Sequence, residues 1–282
     1  MLTEPKENPM LPYLGKLVSV KDLGTEIKFI GVELLNGGSE KFAHYHPGQF
    51  VFLSALGVGE APFGIASTSD RGNILEFAIQ RLGSVTTELH ELSTGDTVGI
   101  RGPLGNWFPL DEFKHKNLIV IGGGIGGAPL RPVIQTVIDN REDFGHFTIL
   151  WAARHPSLLV FTDEYDDWSA APDTELHLTV DQPDATWDRN IGLITELIER
   201  VAPSPENAIT ITCGPPIMIH FVNKMLTEKF GFRPEQNFVT LEARMHCGIG
   251  KCGRCNLGEK LVCVDGPIFT MKEVGGFLES FI

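Results

Sequence analysis

The sequence predicts a β plus α/β protein: an antiparallel β-barrel over residues 1–110, a doubly wound parallel sheet over 111–236, and a small lobe over 237–282. Three observations predict this. The first third consists of short β-prone runs punctuated by Gly, Pro, Asn and Asp. From Asn117 to Thr212 apolar strands alternate with amphipathic helices. Four of the five cysteines crowd into the 17 residues from Cys247 to Cys263.

The barrel strands are expected at Lys16–Val20, Thr25–Val32, Gln49–Leu53, Ile74–Ile79 and Thr97–Arg101, with a helix starting near Ser84. Asn117–Ile121 is then a continuous apolar strand, followed by a glycine-rich turn and a helix through Ile138. Phe147–Ala152 is the next strand and Leu158–Trp168 is expected to be helical. Leu176–Val180, Ile191–Val201 and Ala208–Thr212 continue the alternation, which means a parallel sheet with crossover helices. After Asn237 the alternation stops.

Bulk properties exclude several classes. The formal net charge is -13, so a phosphate-rich duplex would be repelled and no nucleic-acid partner is expected. No apolar run reaches the roughly 20 residues of a membrane span. The first residues, MLTEPKENPMLPYLG, lack an apolar signal-peptide core, so a cytoplasmic location is expected.

The cysteine spacing is Cys247-x4-Cys252-x2-Cys255-x7-Cys263, the spacing of plant-type [2Fe–2S] ligation. Gly248, Gly250 and Gly253 lie inside the loop, where they let the backbone wrap closely and direct N–H groups at sulfur. Four thiolates also suit a structural zinc ion. An odd cysteine count with no signal peptide argues against a disulfide framework.

Residues 117–132 read NLIVIGGGIGGAPLRP. Gly122, Gly124 and Gly127 satisfy G-x-G-x-x-G directly after a strand, as a dinucleotide pyrophosphate requires: a tight turn, close backbone approach, and N–H groups at a helix start. The same glycines would also serve a ligand-free strand–helix turn. Cys213, Gly214 and Pro215 follow a buried-looking strand, at the edge where doubly wound sheets bind ligands, although a lone Cys is also a common core residue. The acid expected on the ribose is ambiguous. Asp143 has the right count but precedes the second strand, whereas Arg154 follows it.

Several segments of the first domain resemble the ferredoxin–NADP reductase superfamily. His46-Pro47-Gly48-Gln49-Phe50-Val51 is similar to its PGQFV strand. Ala61-Pro62-Phe63-Gly64-Ile65-Ala66-Ser67 resembles its flavin motif, with Ala61 where an Arg is usual. Gln80-Arg81-Leu82-Gly83-Ser84-Val85-Thr86 resembles its pyrophosphate segment. Arg101-Gly102-Pro103-Leu104-Gly105-Asn106-Trp107-Phe108 matches its R-G-P-x-G-x-F element, and Cys213-Gly214-Pro215 its nicotinamide-side CGP. The stretch from Leu241 to Asn256, with Leu261-Val262-Cys263, narrows the resemblance to flavin subunits of soluble complexes: the gamma subunits of sulfhydrogenases (group 3 [NiFe]-hydrogenases) and the corresponding flavin subunit of anaerobic sulfite reductase. The electron-transfer subunit of dihydroorotate dehydrogenase is a more distant relative.

The resemblance implies an FAD-binding barrel, a nucleotide-binding sheet and a [2Fe–2S] lobe that move electrons between NAD(P)H and another redox subunit. Phe63, Gly64, Ile65, Ala66 and Ser67 would face the flavin ring. Gln80, Arg81, Gly83, Ser84, Val85 and Thr86 would hold its pyrophosphate. Gly122, Gly124, Gly127, Cys213, Gly214 and Pro215 would hold the nicotinamide nucleotide, and Cys247, Cys252, Cys255 and Cys263 the cluster. Flavin is needed because a hydride carries two electrons and the cluster accepts one. No side chain is expected as general acid or base. Asp181, after the third strand, would repel a 2′-phosphate and favours NADH, while Arg154 argues for NADPH. Two alternatives remain: a flavin and iron–sulfur carrier or regulatory module without nicotinamide activity, and a self-contained reductase of a small molecule.

Overall fold

Turn residues separate the apolar runs of the first third, and each run must find its partner elsewhere in the chain. In the computed structural model, which describes residues 8–35 and 37–278, six of them pair antiparallel. They are β1 (Tyr13–Gly24), β2 (Ile27–Leu34), β3 (Phe50–Ala55), β4 (Gly59–Gly64), β5 (Ile74–Gln80) and β6 (Thr97–Leu104), in the order β4-β3-β6-β1-β2-β5. The sheet curls around one core drawn from most of its strands, including Leu17, Ile30, Leu53, Phe77 and Ile100. Leu89, on the helix Ser84–Glu91, plugs that core and is fully buried. The strand expected at Lys16–Val20 is longer at both ends, and β4 was not expected, since its Gly59–Gly64 sequence carries no alternation. The segments 1–7 and 279–282 lie outside the described residues, so the expectation for the chain's first residues can be followed only from Asn8 onward.

The second sheet has seven strands in the order β10-β9-β8-β7-β11-β12-β15. These are β7 (Asn117–Gly123), β8 (Phe147–Ala153), β9 (Thr174–Val180), β10 (Asn190–Ile191), β11 (Ala208–Cys213), β12 (Asn237–Thr240) and β15 (Ile268–Thr270). Between the last two lies a small hairpin, β13 (Asn256–Leu257) with β14 (Lys260–Leu261). All pairings in the large sheet are parallel except β12 with β15. Their near-continuous burial explains the unbroken apolar runs in the sequence. Strand order reverses at β7, with β8 on one side and β11 on the other, and ligands bind at such a switch point.

Three local expectations change. Leu158–Trp168 is not one helix: 3-10 turns at Pro156–Leu158 and Thr162–Glu164 flank a buried run, and only Tyr165–Ala170 is α-helical. Phe161 breaks it by taking a left-handed φ of 62°, which sends its ring into the core, 1% exposed. Ile191–Val201 splits into β10 and the helix Ile194–Val201. The segment after Asn237 does not leave the sheet, because β12 and β15 extend it.

The two sheets are joined at Arg131, the first residue of the helix Arg131–Asp139. Its guanidinium reaches Glu164 at 2.6 Å, Glu76 of β5 at 2.7 Å and the Ala66 carbonyl at 2.6 Å. The Phe29 and Phe161 rings each lie 5.1 Å away.

Candidate functional site

A cleft of about 1320 Å³ opens along the C-terminal edge of the parallel sheet and continues onto the barrel at Ile27, Gln80 and Leu82. Its floor is glycine because two chain segments meet there. Strand pairing sets Cys213 opposite Gly122, and a Cβ on Gly126 would lie 2.7 Å from the Gly214 Cα. Gly123, Gly124 and Gly126 line the cleft, as do Gly214 and Pro215. Gly124 has a φ of 56°, a conformation that costs glycine nothing.

The other two motif glycines lie behind this surface. A Cβ at Gly122 or Gly127 would strike the fully buried Trp151 indole, at 2.7 and 2.1 Å. They act through packing, as the third glycine of such a fingerprint does. The turn also continues as a 3-10 helix, Gly124–Leu130, before the α-helix begins at Arg131, so the α-helix starts seven residues downstream of Gly124 rather than directly after the glycine turn. Gly123 and Gly126, which the G-x-G-x-x-G pattern does not single out, line the cleft beside Gly124.

Cys213 is 3% exposed, and burial, with a smaller contribution from Glu242, pushes its thiol up to about 12. It therefore stays protonated, unsuited to nucleophilic attack or metal ligation. Glu242 lines the cleft. Solvent reaches it from inside the cleft, but protein fills most of its surroundings, and that desolvation raises its carboxyl pKa.

Arg154 and Asp181 follow the adjacent strands β8 and β9 and both line the cleft. Backbone bonds from Asp181 N to Ala153 O and Gln182 N to Arg154 O fix the two strand ends together. Desolvation raises the Asp181 pKa, Arg154 opposes that, and Glu196 adds to it. The expected acid and the expected cation thus face the same cleft. Asp143 does not, being held by Lys114 at 3.2 Å.

In the flavin segment, Phe63 and Gly64 end β4 half-buried, and a Gly64 Cβ would press on Pro129 at 2.9 Å, directly at the junction of the sheets. Ile65, Ala66 and Ser67 are buried. The Ile65 amide donates to Gln49 O, the Ala66 amide to Glu76 O, and the Ser67 hydroxyl is shared by Tyr45 and the Glu76 amide. Those donors are committed to the barrel, which leaves Phe63 and Gly64 as the accessible wall.

The segment Gly83–Thr86 forms an exposed helix start whose first amides have no acceptor within the helix, a fit for a pyrophosphate. Thr86 Oγ1 accepts from Leu82 N and Gly83 N at 2.9 Å and shapes that turn. Arg81 is turned away, toward Glu91 at 3.0 Å and Glu26 at 3.8 Å.

The cysteine loop folds over three left-handed glycines, Gly248, Gly250 and Gly253, with φ of 73°, 73° and 68°. Gly250 N lies 3.3 Å from Cys263 Sγ, and Ile249 N lies 3.5 Å from Cys247 Sγ. The thiols approach as two pairs, Cys247 with Cys252 and Cys255 with Cys263. Burial raises the Cys247 thiol, but backbone N–H groups and Cys252 outweigh it and lower its pKa, while burial and Cys255 raise that of Cys263. Among the described residues no three His, Cys, Asp or Glu side chains are placed to hold a single metal ion. Two thiol pairs with amide donors suit a two-iron cluster held by four cysteines.

Comparison with known proteins agrees with this geometry. Residues 15–108 match the oxidoreductase FAD-binding domain, 120–224 the oxidoreductase NAD-binding domain, and 242–275 the iron–sulfur cluster binding domain of dihydroorotate dehydrogenase B. The fold and cleft thus define an FAD- and NAD-binding oxidoreductase of ferredoxin–NADP reductase type. The sulfhydrogenase 1 gamma subunit of Pyrococcus furiosus is 39% identical, over 96% of this chain and 94% of its own. A probable electron-transfer subunit of dihydroorotate dehydrogenase B from Methanocaldococcus jannaschii is 33% identical, over 82% and 81%. The chain belongs to this family of sulfhydrogenase gamma and related electron-transfer subunits, and is itself an electron-transfer oxidoreductase subunit. Among solved structures, a chain of the NADH-dependent reduced ferredoxin–NADP oxidoreductase superposes with a TM-score of 0.74 at 25% identity, over 94% of this chain and 93% of that one. The cytochrome b5 reductase domain of Ulva prolifera nitrate reductase shares the fold, with a TM-score of 0.68 over 83% of this chain and 98% of that one.

Proposed function

We propose that this chain exchanges electrons between NAD(P)H and a partner redox subunit of a multi-subunit complex of hydrogenase or sulfite-reductase type, in the cytoplasm. One observation carries the reading: a single block of structure holds all three candidate sites. The cysteine loop hangs between β12 and β15 of the nucleotide sheet, and a Cβ on its Gly248 would lie 2.7 Å from Phe52 of the barrel. When bound, flavin exchanges a hydride with nicotinamide and single electrons with the cluster.

The chain's own residues position and exclude. Gly123, Gly124 and Gly126, with Gly214 and Pro215, bring backbone close to the nucleotide, on Gly122 and Gly127 packed against Trp151. Phe63 and Gly64 wall the flavin, and Gln80 with Gly83–Thr86 takes its phosphates. Cys247, Cys252, Cys255 and Cys263 hold [2Fe–2S]. The division at 110 and 236 follows these three tasks. Anaerobic titration with NADH and with NADPH separates this reading from a carrier without nicotinamide activity: with at least one of them flavin absorbance should bleach before the cluster's, and a flavin that neither bleaches would refute it. Subunits that co-purify anaerobically identify the partner, and isolation only as a free monomer would count against a complex.

Two further outcomes test the assignments. Thr86→Asp keeps an acceptor for Leu82 N and Gly83 N but sets a carboxylate beside the pyrophosphate. FAD affinity should fall roughly tenfold, about 1.4 kcal/mol, by like-charge repulsion. Full FAD occupancy during dialysis would move the pyrophosphate elsewhere. For the nicotinamide, Asp181 at the cleft favours a free 2′-hydroxyl, so kcat/KM should be higher for NADH than for NADPH. A tenfold preference for NADPH, about 1.4 kcal/mol of transition-state discrimination, would assign the site to Arg154 instead.

A further inference from the structure

Arg101 sits on β6, inside the R-G-P-x-G-x-F element, and none of the flavin or nicotinamide roles above uses it. It is 2% exposed. Its guanidinium holds Glu60 of β4 through two bonds, Nη2 to Oε1 at 2.6 Å and Nε to Oε2 at 3.0 Å. Nη1 donates to the Cys247 carbonyl at 3.1 Å and to the Pro9 carbonyl at 3.3 Å. The Phe52 ring lies beneath it, 4.5 Å away. The next loop residue after Cys247 is seated on the same strands, since a Gly248 Cβ would meet both Phe52 and Leu104 within 2.9 Å.

A bidentate ion pair with a buried cation is an expensive way to support a loop, because Arg101 loses its hydration and Glu60, whose side chain is 29% exposed, loses part of its own. A neutral donor would satisfy a carbonyl. What the pair adds is a fixed charge arrangement: a cation directly at the backbone of a cluster cysteine, with its anion on the far side. Reduction adds one negative charge to an iron–sulfur cluster, so a nearby cation favours the reduced state and a nearby anion opposes it. The strand β4 that carries Glu60 also ends in Phe63 and Gly64, so the pair ties the cysteine loop to the flavin wall. We propose that the Arg101–Glu60 pair positions the cysteine loop on the barrel and sets the reduction potential of the cluster it holds.

This inference rests on the cluster assignment above, and the test keeps the two apart. Wild-type protein, Arg101→Gln, Glu60→Gln and the double variant are compared by EPR-monitored redox titration, with iron and sulfide quantified. Arg101→Gln leaves the anion alone near the cluster and should lower its midpoint potential. Glu60→Gln leaves the cation alone and should raise it. The double variant should return toward wild type. Opposite shifts are the signature, because loosened packing alone has no reason to move the potential in both directions. Unmoved potentials, or shifts of one sign in both variants, would overturn the proposal. If Arg101→Gln fails to retain a cluster, the Glu60→Gln shift decides: upward supports the proposal, and no shift or a downward one refutes it. Absence of any [2Fe–2S] signal from the wild-type protein would instead refute the cluster assignment itself.

Discussion

Cys252→Ala is expected to abolish the iron–sulfur centre while leaving the flavin chemistry intact. Cys252 is the exposed member of the four, so its replacement removes a ligand without opening a core cavity. Anaerobically purified wild-type protein should carry about two iron and two acid-labile sulfide per chain, and the variant close to none. Changes to residues that merely support a metal's ligands cost about 10–100-fold in affinity, so loss of a ligand should cost more than about 100-fold. FAD content should be unchanged and NADH should still bleach the flavin, because Cys252 is not among the residues that line the cleft. Transfer to one-electron acceptors should collapse. Cys213→Ala is the control: its thiol is buried and protonated in the sheet, so iron and sulfide should stay at wild-type levels. One zinc per chain without sulfide in the wild-type protein would overturn the assignment.

How much of this was legible in the sequence depended on the range of the interaction responsible. The glycine turn was legible because its cause is local: backbone must pass close to backbone within a few residues. That Gly122 and Gly127 serve Trp151 while Gly123, Gly124 and Gly126 line the cleft was not, since Trp151 reaches the turn only through β8 pairing beside β7. The cysteine spacing was legible for the same local reason, and the left-handed φ at Gly248, Gly250 and Gly253 agrees with it.

The flavin segment was legible only in part. The resemblance implies that Ile65, Ala66 and Ser67 face the flavin ring, but they are buried and bonded to Gln49, Glu76 and Tyr45, which come from elsewhere in the barrel. The break at Phe161 was hidden because an apolar run near a Trp satisfies helical periodicity equally well. Arg101 and Cys247 are 146 residues apart, and no pattern within either motif announces their bond.

Arg131→Met should be among the most destabilising single changes in the chain, and its cause is also long-range. The methionine retains much of the volume between Phe29 and Phe161 but satisfies neither carboxylate. Glu76 and Glu164 have side chains only 27% and 19% exposed, so both would be left with charge and little water, and the Ala66 carbonyl would lose its donor. Breaking a buried pair by removing one partner costs about 3–5 kcal/mol. For a chain of this size each kcal/mol lowers the thermal midpoint by about 2–4 °C. The flavin should leave at the same lower temperature, since Arg131 ties the flavin segment to the nucleotide sheet at Ala66. Adding Glu76→Gln and Glu164→Gln to Arg131→Met removes the stranded charges, so the triple variant should recover part of the loss. Thermal unfolding followed at once by circular dichroism and flavin fluorescence reads both effects. A midpoint shift under about 2 °C for Arg131→Met, or a triple variant less stable than the single one, would mean that packing around Phe29 and Phe161, and not the buried charges, holds the two sheets together.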